Sequence, residues 1–266
     1  MYETTYHRAG SAAEAADLLA KADDGKILGG GQTLLPTMKQ RLAAPSDLVD
    51  VTQIAEMKGI CADGEGVAIG AATTHAEVAS NHLVKSKLPG LASLAGGIGD
   101  PAVRHMGTIG GSIANNDPAA DYPSALVALG ATVVTNKREL SSEDFFTGMF
   151  ETALEEDEVV QSVKFPGAQK SAYAKYPNPA SRYAMAGVFV AQGSDGAVKV
   201  AVTGAGQDGV FRMNDMEAAL GSNWSADAVS GIAPNADDLL SDLHGSAAYR
   251  ANLVTVMAKR AVAAAG

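Results

Sequence analysis

Cysteine is almost absent from this chain, since Cys61 is the only one among 266 residues. A single thiol cannot form a disulfide within the chain, and the lack of a disulfide framework fits a reducing compartment. Iron–sulfur clusters are usually held by several cysteine thiolates. The chain therefore cannot hold such a cluster by itself.

Positive charge and long apolar runs are also scarce. The chain carries 20 Lys and Arg against 30 Asp and Glu, a net charge of −10, whereas nucleic-acid-binding proteins normally gather a basic excess into a patch. No apolar run approaches the roughly 20 residues that span a bilayer. The opening MYETTYHRAG has no basic region followed by an apolar one, as a secretory signal would. We therefore expect a cytoplasmic protein with no nucleic-acid partner and no transmembrane segment.

The composition that remains is that of a packed globular protein rich in glycine. Hydrophobic residues make up 47% of the chain and charged residues 19%, which excludes a disordered chain. Glycine occurs 29 times, whereas aromatic residues account for only 5%. Because glycine lacks a Cβ atom, its backbone can approach other segments or a ligand closely.

Three parts are predicted, namely residues 1–54, 55–167 and 168–266, and a change of pattern after residue 170 supports the last boundary. The dipeptide Pro166-Gly167 ends the second part. In the third, apolar runs predict an antiparallel meander, and the hairpin sequence GSDG at 193–196 joins two of its strands. Further helices are predicted at 214–221, 225–232 and 249–265. Strands followed by helices indicate an α+β fold rather than alternating βαβ units.

A first glycine loop, Gly29-Gly30-Gly31-Gln32-Thr33, follows a predicted strand and precedes a predicted helix. Backbone N–H groups and a helix N-terminus can hold a phosphate at such a position. The sequence is neither a Walker loop nor the dinucleotide fingerprint, because Leu34 stands at the third glycine position. A tight left-handed turn would use the same glycines, so both interpretations remain open from the residues alone.

A second glycine loop, Thr108-Ile109-Gly110-Gly111, lies in a stretch from Gly96 to Pro123 that we predict to be a long functional loop. Its hydroxyl and glycine N–H groups are candidate donors to a second face of a pyrophosphate. Asp121 is a candidate acceptor for sugar hydroxyls. For Asp117, beside a proline, a turn-forming role is the better interpretation.

Other motifs are weaker. Gly204 to Gly209 formally matches G-x-G-x-x-G, but a strand-like run follows it rather than a helix, so a nicotinamide site there is only an alternative. The five histidines show no ligand spacing. His75 and His82 would share one face of a helix, most simply as a surface pair.

The two glycine loops together carry a family resemblance. GGGQTLLPTMKQRLAAPSDLVDV, followed by IGDPAVRHMGTIGGSIANNDPAADYP, resembles the FAD-binding medium subunit of molybdenum hydroxylases, which include relatives of carbon monoxide dehydrogenase, xanthine dehydrogenase and aldehyde oxidase. The segment AKYPNPASRYAMAGVFV is similar to the C-terminal domain of those subunits. The resemblance implies a two-part FAD-binding domain of the vanillyl-alcohol-oxidase (PCMH-like) type and a small domain with an antiparallel sheet and helices.

The resemblance also implies roles for particular residues. Both glycine loops would contact FAD: Gly29, Gly30, Gly31, Gln32 and Thr33, and then Thr108, Ile109, Gly110 and Gly111. Ile98 would lie near the isoalloxazine ring, although core packing is its simpler role. Asp121 would contact the cofactor, and Lys175 and Tyr183 would close over the flavin, with Tyr183 equally interpretable as a strand aromatic. Gln32-Thr33 replaces a His-Ser pair that is frequent in carbon monoxide dehydrogenase relatives, which leaves the substrate class open.

The resemblance implies electron transfer within a complex. A large molybdopterin-binding subunit would oxidise the substrate, and a small iron–sulfur subunit would pass the electrons to FAD. FAD would then pass them to an external acceptor. A dimer of heterotrimers is the expected assembly. A nicotinamide-dependent oxidoreductase and a non-catalytic interaction module remain the alternatives.

Overall fold

The first part of the chain forms a small parallel sheet with two helices. The computed structural model describes all 266 residues. Residues 1–54 contain β1 (Thr5–Arg8), α1 (Ala12–Lys21), β2 (Gly25–Leu28), α2 (Leu34–Lys39) and β3 (Asp47–Asp50). The strands lie in the order β1-β3-β2, and both pairs are parallel. Because β2 is last in this order, it is an edge strand, and it leads directly into the first glycine loop.

The second part combines an antiparallel sheet with a run of short helices. Its strands are β4 (Ile60–Asp63), β5 (Gly66–Gly70), β6 (Thr132–Thr135), β7 (Glu139–Ser141), β8 (Phe146–Gly148), β9 (Glu151–Thr152) and β10 (Val160–Phe165). Its helices are α3 (His75–Ser80), α4 (His82–Lys87), α5 (Pro89–Gly96), α6 (Pro101–Met106), α7 (Ile109–Asn115), α8 (Tyr122–Leu129) and α9 (Ser142–Phe145). Five strands lie in the order β4-β5-β10-β6-β7, while β8 and β9 pair separately.

The prediction of a long loop from Gly96 to Pro123 is wrong. Two helices, α6 and α7, form within this stretch and cover 13 of its 28 residues. Asp100 and Thr108 are their N-caps, because each side chain accepts a hydrogen bond from a backbone N–H in the first turn of its helix. Local capping therefore outweighs the high glycine and proline content of the segment.

The third part is the predicted meander followed by helices. It contains β11 (Ala168–Pro177), β12 (Ala184–Gly193), β13 (Val198–Gly206), β14 (Gly209–Arg212), α10 (Asn214–Ser222) and α11 (Ala247–Ala265). The strands pair in sequence order, and each pair is antiparallel. The helix predicted at 225–232 is wrong, because that segment forms turns. The α+β class itself is confirmed.

The second and third parts share a core. All eight residues of α8 are buried, as expected for a helix with apolar residues on every side. This helix packs against β12 and β13. The Thr203 hydroxyl of β13 donates to the carbonyl groups of Pro118 and Ala120, at 3.1 and 2.6 Å. The third part is thus fixed to the segment that precedes α8. No helix of the protein has both the length and the apolar character that a membrane crossing requires.

Candidate flavin site

One cavity of about 530 Å³ lies between the two glycine loops. Its volume is within the range of roughly 300–1,000 Å³ that small-molecule and cofactor sites occupy. Of the residues predicted to contact a cofactor, only Ile109 and Lys175 do not line it. The structure brings together Gly29, Gly30, Gly31, Gln32, Thr33, Ile98, Thr108, Gly110, Gly111, Asp121 and Tyr183. Contact between these residues and a cofactor stays a prediction.

The first glycine loop presents a row of unused hydrogen-bond donors. None of the backbone N–H groups from Gly29 to Thr33 has an acceptor within the protein. Gly31 has a φ of 67°, a left-handed conformation that glycine adopts without steric cost. Because backbone polar groups in folded proteins are normally paired, a row of free N–H groups in a loop that lines a cavity is suited to an anionic ligand.

The two loops are in direct contact. A Cβ atom on Gly30 would overlap the carbonyl oxygen of Met106 and the Cα atom of Gly107. A Cβ atom on Gly29 would lie 2.9 Å from the Thr108 hydroxyl oxygen. Glycine at these two positions therefore permits the backbones to approach as closely as they do.

The second glycine loop uses its N–H groups inside the protein. Ile109 N–H donates to the Thr73 carbonyl at 3.1 Å, and Gly110 N–H donates to the Ala71 carbonyl at 2.9 Å. Gly111 N–H donates to the Thr108 hydroxyl at 3.2 Å. The prediction that these glycines offer free N–H donors is therefore wrong, although the Thr108 hydroxyl keeps its own proton available. This loop forms a close-fitting wall, with the Ile109 side chain fully buried behind it.

His75 is hydrogen-bonded to Gly107, the residue that precedes the second loop. Its backbone N–H donates to the Gly107 carbonyl at 2.9 Å, and its ring lies 5.4 Å from that of Tyr122. Burial, together with the nearby Arg104 guanidinium, lowers the pKa of His75 to about 4, so the imidazole is neutral at pH 7. The predicted surface pair with His82 is wrong, because the two residues lie in different helices. The Thr74–Glu77 capping box, which is present as predicted, was the signal that located His75 in the first turn.

Asp121 and Lys175 form a buried ion pair beside the cavity. The Lys175 ammonium lies 3.0 Å from Asp121 Oδ1 and donates to the Gly97 carbonyl at 2.9 Å. Tyr173 donates its hydroxyl proton to the same carboxylate. Burial raises the pKa of Asp121, while the neighbouring ammonium opposes that rise. The pair links β11 to the start of α8, a role that the sequence did not indicate.

Tyr183 lies where the third part meets the cavity. It ends the turn between β11 and β12 and is 46% exposed. Burial and the Asp117 carboxylate raise the pKa of its hydroxyl, whereas the Thr33 side chain acts in the opposite direction. Its neighbour Arg182 has a φ of 64°, and both residues line the cavity with Ile98. This end of the cavity therefore combines an aromatic ring with an apolar side chain.

The nicotinamide alternative lacks the helix that it requires. Gly206 and Gly209 pair with each other at the turn between β13 and β14, so the glycine motif is a hairpin and no helix N-terminus meets it. No group of three His, Cys, Asp or Glu side chains in the structure could hold a metal ion.

Comparisons with known proteins agree with this geometry. The model of a protein family described as the FAD binding domain in molybdopterin dehydrogenase matches residues 2–168. The carbon monoxide dehydrogenase medium chain of Hydrogenophaga pseudoflava is 35% identical, over 98% of this chain and 96% of its own length. The glyceraldehyde dehydrogenase medium chain of Sulfolobus acidocaldarius is 36% identical, with 97% of each chain covered.

A solved structure extends the similarity to three dimensions. The reconstituted carbon monoxide dehydrogenase of Oligotropha carboxidovorans superposes with a TM-score of 0.89 at 31% identity, over 99% of this chain and 97% of that chain. The chain therefore belongs to the family of FAD-binding domains in molybdopterin dehydrogenases. It is a flavoprotein oxidoreductase subunit whose cofactor is FAD.

Proposed function

We propose that this chain is the electron-transfer subunit of a molybdenum hydroxylase complex, with FAD bound between its two glycine loops. The observation that carries the proposal is the row of free N–H groups from Gly29 to Thr33, in a loop that lines the cavity together with the second loop. Bound FAD supplies the ability to accept electrons singly and deliver them singly or in pairs, while the protein supplies orientation and electrostatics.

In this proposal the residues divide by what they offer the cofactor. The first loop binds the pyrophosphate with backbone N–H groups, and Thr108 adds a hydroxyl donor. Gly110 and Gly111 permit close approach, while Asp121 lies within reach of sugar or ribityl hydroxyls. Ile98 and Tyr183 enclose the isoalloxazine ring. Lys175 contributes by fixing Asp121. The first two predicted parts, 1–54 and 55–167, would form the FAD-binding unit, and 168–266 would close it.

The remaining components belong to partner chains. We propose a large molybdopterin-binding subunit, which oxidises the substrate, and a small iron–sulfur subunit, which passes electrons to the flavin. A dimer of heterotrimers in the cytoplasm is the proposed assembly. The substrate stays open on this chain's sequence, since relatives named for carbon monoxide, glyceraldehyde and nicotine are 34–36% identical to it.

The visible spectrum of the purified full-length chain tests the proposal. We expect a yellow protein whose flavin is released by acid and identified as FAD rather than FMN. Added FAD should raise the thermal unfolding temperature of the cofactor-free chain, because a ligand that binds only the native state stabilises it by mass action. A colourless chain that gains no stability from FAD would be the interaction module of the alternative interpretation. Co-purification from the native host should recover both partner subunits.

A further inference from the structure

A second cavity, of about 230 Å³, adjoins the proposed FAD cavity. The two cavities share a wall made of Asp117, Ser181 and Tyr183, since these residues line both. The second cavity is also lined by Asp242, His244 and Arg250, of which the first two are exposed. It is thus a cavity with charged and exposed residues in its lining, and it shares three lining residues with the first cavity.

Asp117 is held rigidly in that wall. One of its carboxylate oxygens, Oδ1, accepts the Ala119 N–H at 2.8 Å, so the predicted turn-forming role is present. The next residue is fixed as well, because Gly204 N–H donates to the Pro118 carbonyl at 2.8 Å. The second oxygen, Oδ2, has no hydrogen-bond partner in the protein. Asp117 therefore has one oxygen that holds the turn and one that is free.

Reduction of a flavin by an iron–sulfur centre requires a separate source of protons. FAD takes up two electrons and two protons to become FADH2, and the reverse reaction releases both. An iron–sulfur cluster transfers electrons without protons. The protons therefore come from water, and a titratable side chain between water and the flavin can transfer them.

The other two carboxylates that line the FAD cavity, Asp121 and Glu158, are engaged. Asp121 is bound by Lys175 and Tyr173. Glu158 accepts two hydrogen bonds from Arg138, at 3.0 and 2.9 Å, and its pKa is lowered to about 2. His75 is buried, and it does not line the second cavity.

We propose that Asp117 transfers protons between water in the second cavity and FAD in the first. The inference rests on the proposed function, including the isoalloxazine ring lying at the end of the cavity formed by Ile98 and Tyr183. The carboxyl takes a proton from water on one side of the wall and gives it up on the other. Flavin oxidation reverses the direction of transfer.

The surroundings of Asp117 favour such a role. Burial raises its pKa, which brings the carboxyl nearer to neutral pH, where a proton carrier is most effective. Tyr183 and Asp121 face it from the first cavity. The Asp242, His244 and Arg250 side chains face it from the second, and there Arg250 is paired with Asp242 at 2.8 Å. Arg182 completes the charged groups near the wall.

The test is anaerobic rapid mixing of the FAD-loaded full-length chain with reduced methyl viologen, which donates one electron and no proton. Flavin absorbance and a pH indicator in weak buffer are followed together. We expect D117N to bind FAD normally but to slow proton uptake by about 10²-fold, a typical contribution of general acid–base catalysis. Acetic acid, small enough for the second cavity, should restore the rate in proportion to its concentration.

D195N is the matched control, because Asp195 Oδ1 accepts the Ala197 N–H in a similar turn on the exposed β12–β13 hairpin. D117E, which keeps a carboxyl, should retain most of the rate, and D117S, which keeps a turn-forming oxygen, should lose it. Wild-type proton uptake in D117N or D117S, or slow uptake that acetic acid does not restore, would overturn the inference. Failure of the wild-type chain to bind FAD would instead overturn the proposed function as well.

Discussion

The two glycine loops have similar compositions but opposite states of their backbone donors. In the first loop, the N–H groups from Gly29 to Thr33 have no partner in the protein. In the second, Ile109 and Gly110 donate to the 71–73 segment, and Gly111 donates to the Thr108 hydroxyl. The first loop is therefore equipped to bind an anion, and the second to shape and close the cavity.

The difference arises from what lies beside each loop. The first loop leaves the end of β2, an edge strand, and the backbone that contacts it at Met106 and Gly107 accepts none of its N–H groups. The second loop begins α7 against the connection from β5 to α3, whose carbonyl groups accept its N–H groups. A glycine cluster therefore acquires its function from neighbouring backbone rather than from its own sequence.

The largest predicted effect concerns the buried ion pair beside the cavity, which links β11 to the start of α8. Lys175→Met should lower the free energy of unfolding of the cofactor-free chain by roughly 3–5 kcal/mol, because it leaves the Asp121 carboxyl buried without its partner. Urea unfolding measures this. Lys164→Met is the matched control, since it breaks an exposed pair with Glu139 whose charges are screened by solvent. A variant with normal stability but weakened FAD binding would make Lys175 a cofactor contact and contradict our interpretation.

The second prediction concerns His75, beside the second loop, and the dependence of stability on pH. The pKa of His75 is about 4 in the folded state, below its ordinary value of 6.5. Between pH 4 and pH 6.5 the unfolded chain therefore binds more protons than the folded chain does. Stability should therefore fall as pH decreases through this window, by up to about 3 kcal/mol. Urea unfolding at pH 7 and pH 5 should show a smaller fall in His75→Gln. The exposed counterpart His82→Gln should behave as the wild type, and equal slopes in all three proteins would contradict the prediction.

A third substitution addresses the contact between the loops. Gly30→Ala should destabilise the chain by about 1–3 kcal/mol, as overpacking does, because its methyl group would overlap the backbone at Met106 and Gly107. FAD affinity should fall about tenfold or more. Fluorescence titration with FAD measures the affinity. In Gly221→Ala, nothing lies within 4 Å of the added methyl group, so its FAD affinity should be unchanged.

The smallest effect is expected within the second loop. Thr108→Val should cost about 1 kcal/mol of stability through the lost helix cap. It should weaken FAD binding by about tenfold or less, the usual value of one hydrogen bond. Calorimetric titration and thermal unfolding give the two quantities. A loss of affinity greater than that of Gly30→Ala would show that the second loop, and not the first, provides the main donors.

Much of the local structure was predictable because its causes are local. The strand, glycine loop and helix around Gly29–Thr33, the Thr74–Glu77 capping box and the 193–196 hairpin each depend on residues close together in the chain. The failures at 96–123 and 225–232 have a related origin. In the first, glycine and proline content suggested a loop while two caps started helices, and in the second, a helix-like pattern forms only turns.

The sequence alone determined the family, the order of most helices and strands, and eleven of the residues that line the proposed FAD cavity, because these follow from local patterns and from two specific motifs. Only the tertiary structure decided which N–H groups are free, where His75 lies, and that Lys175 pairs with Asp121. These properties depend on contacts between segments distant in sequence, such as the 54 residues that separate Asp121 from Lys175. Burial and hydrogen-bond pairing are set by what the fold places alongside a residue, and no local pattern contains that information.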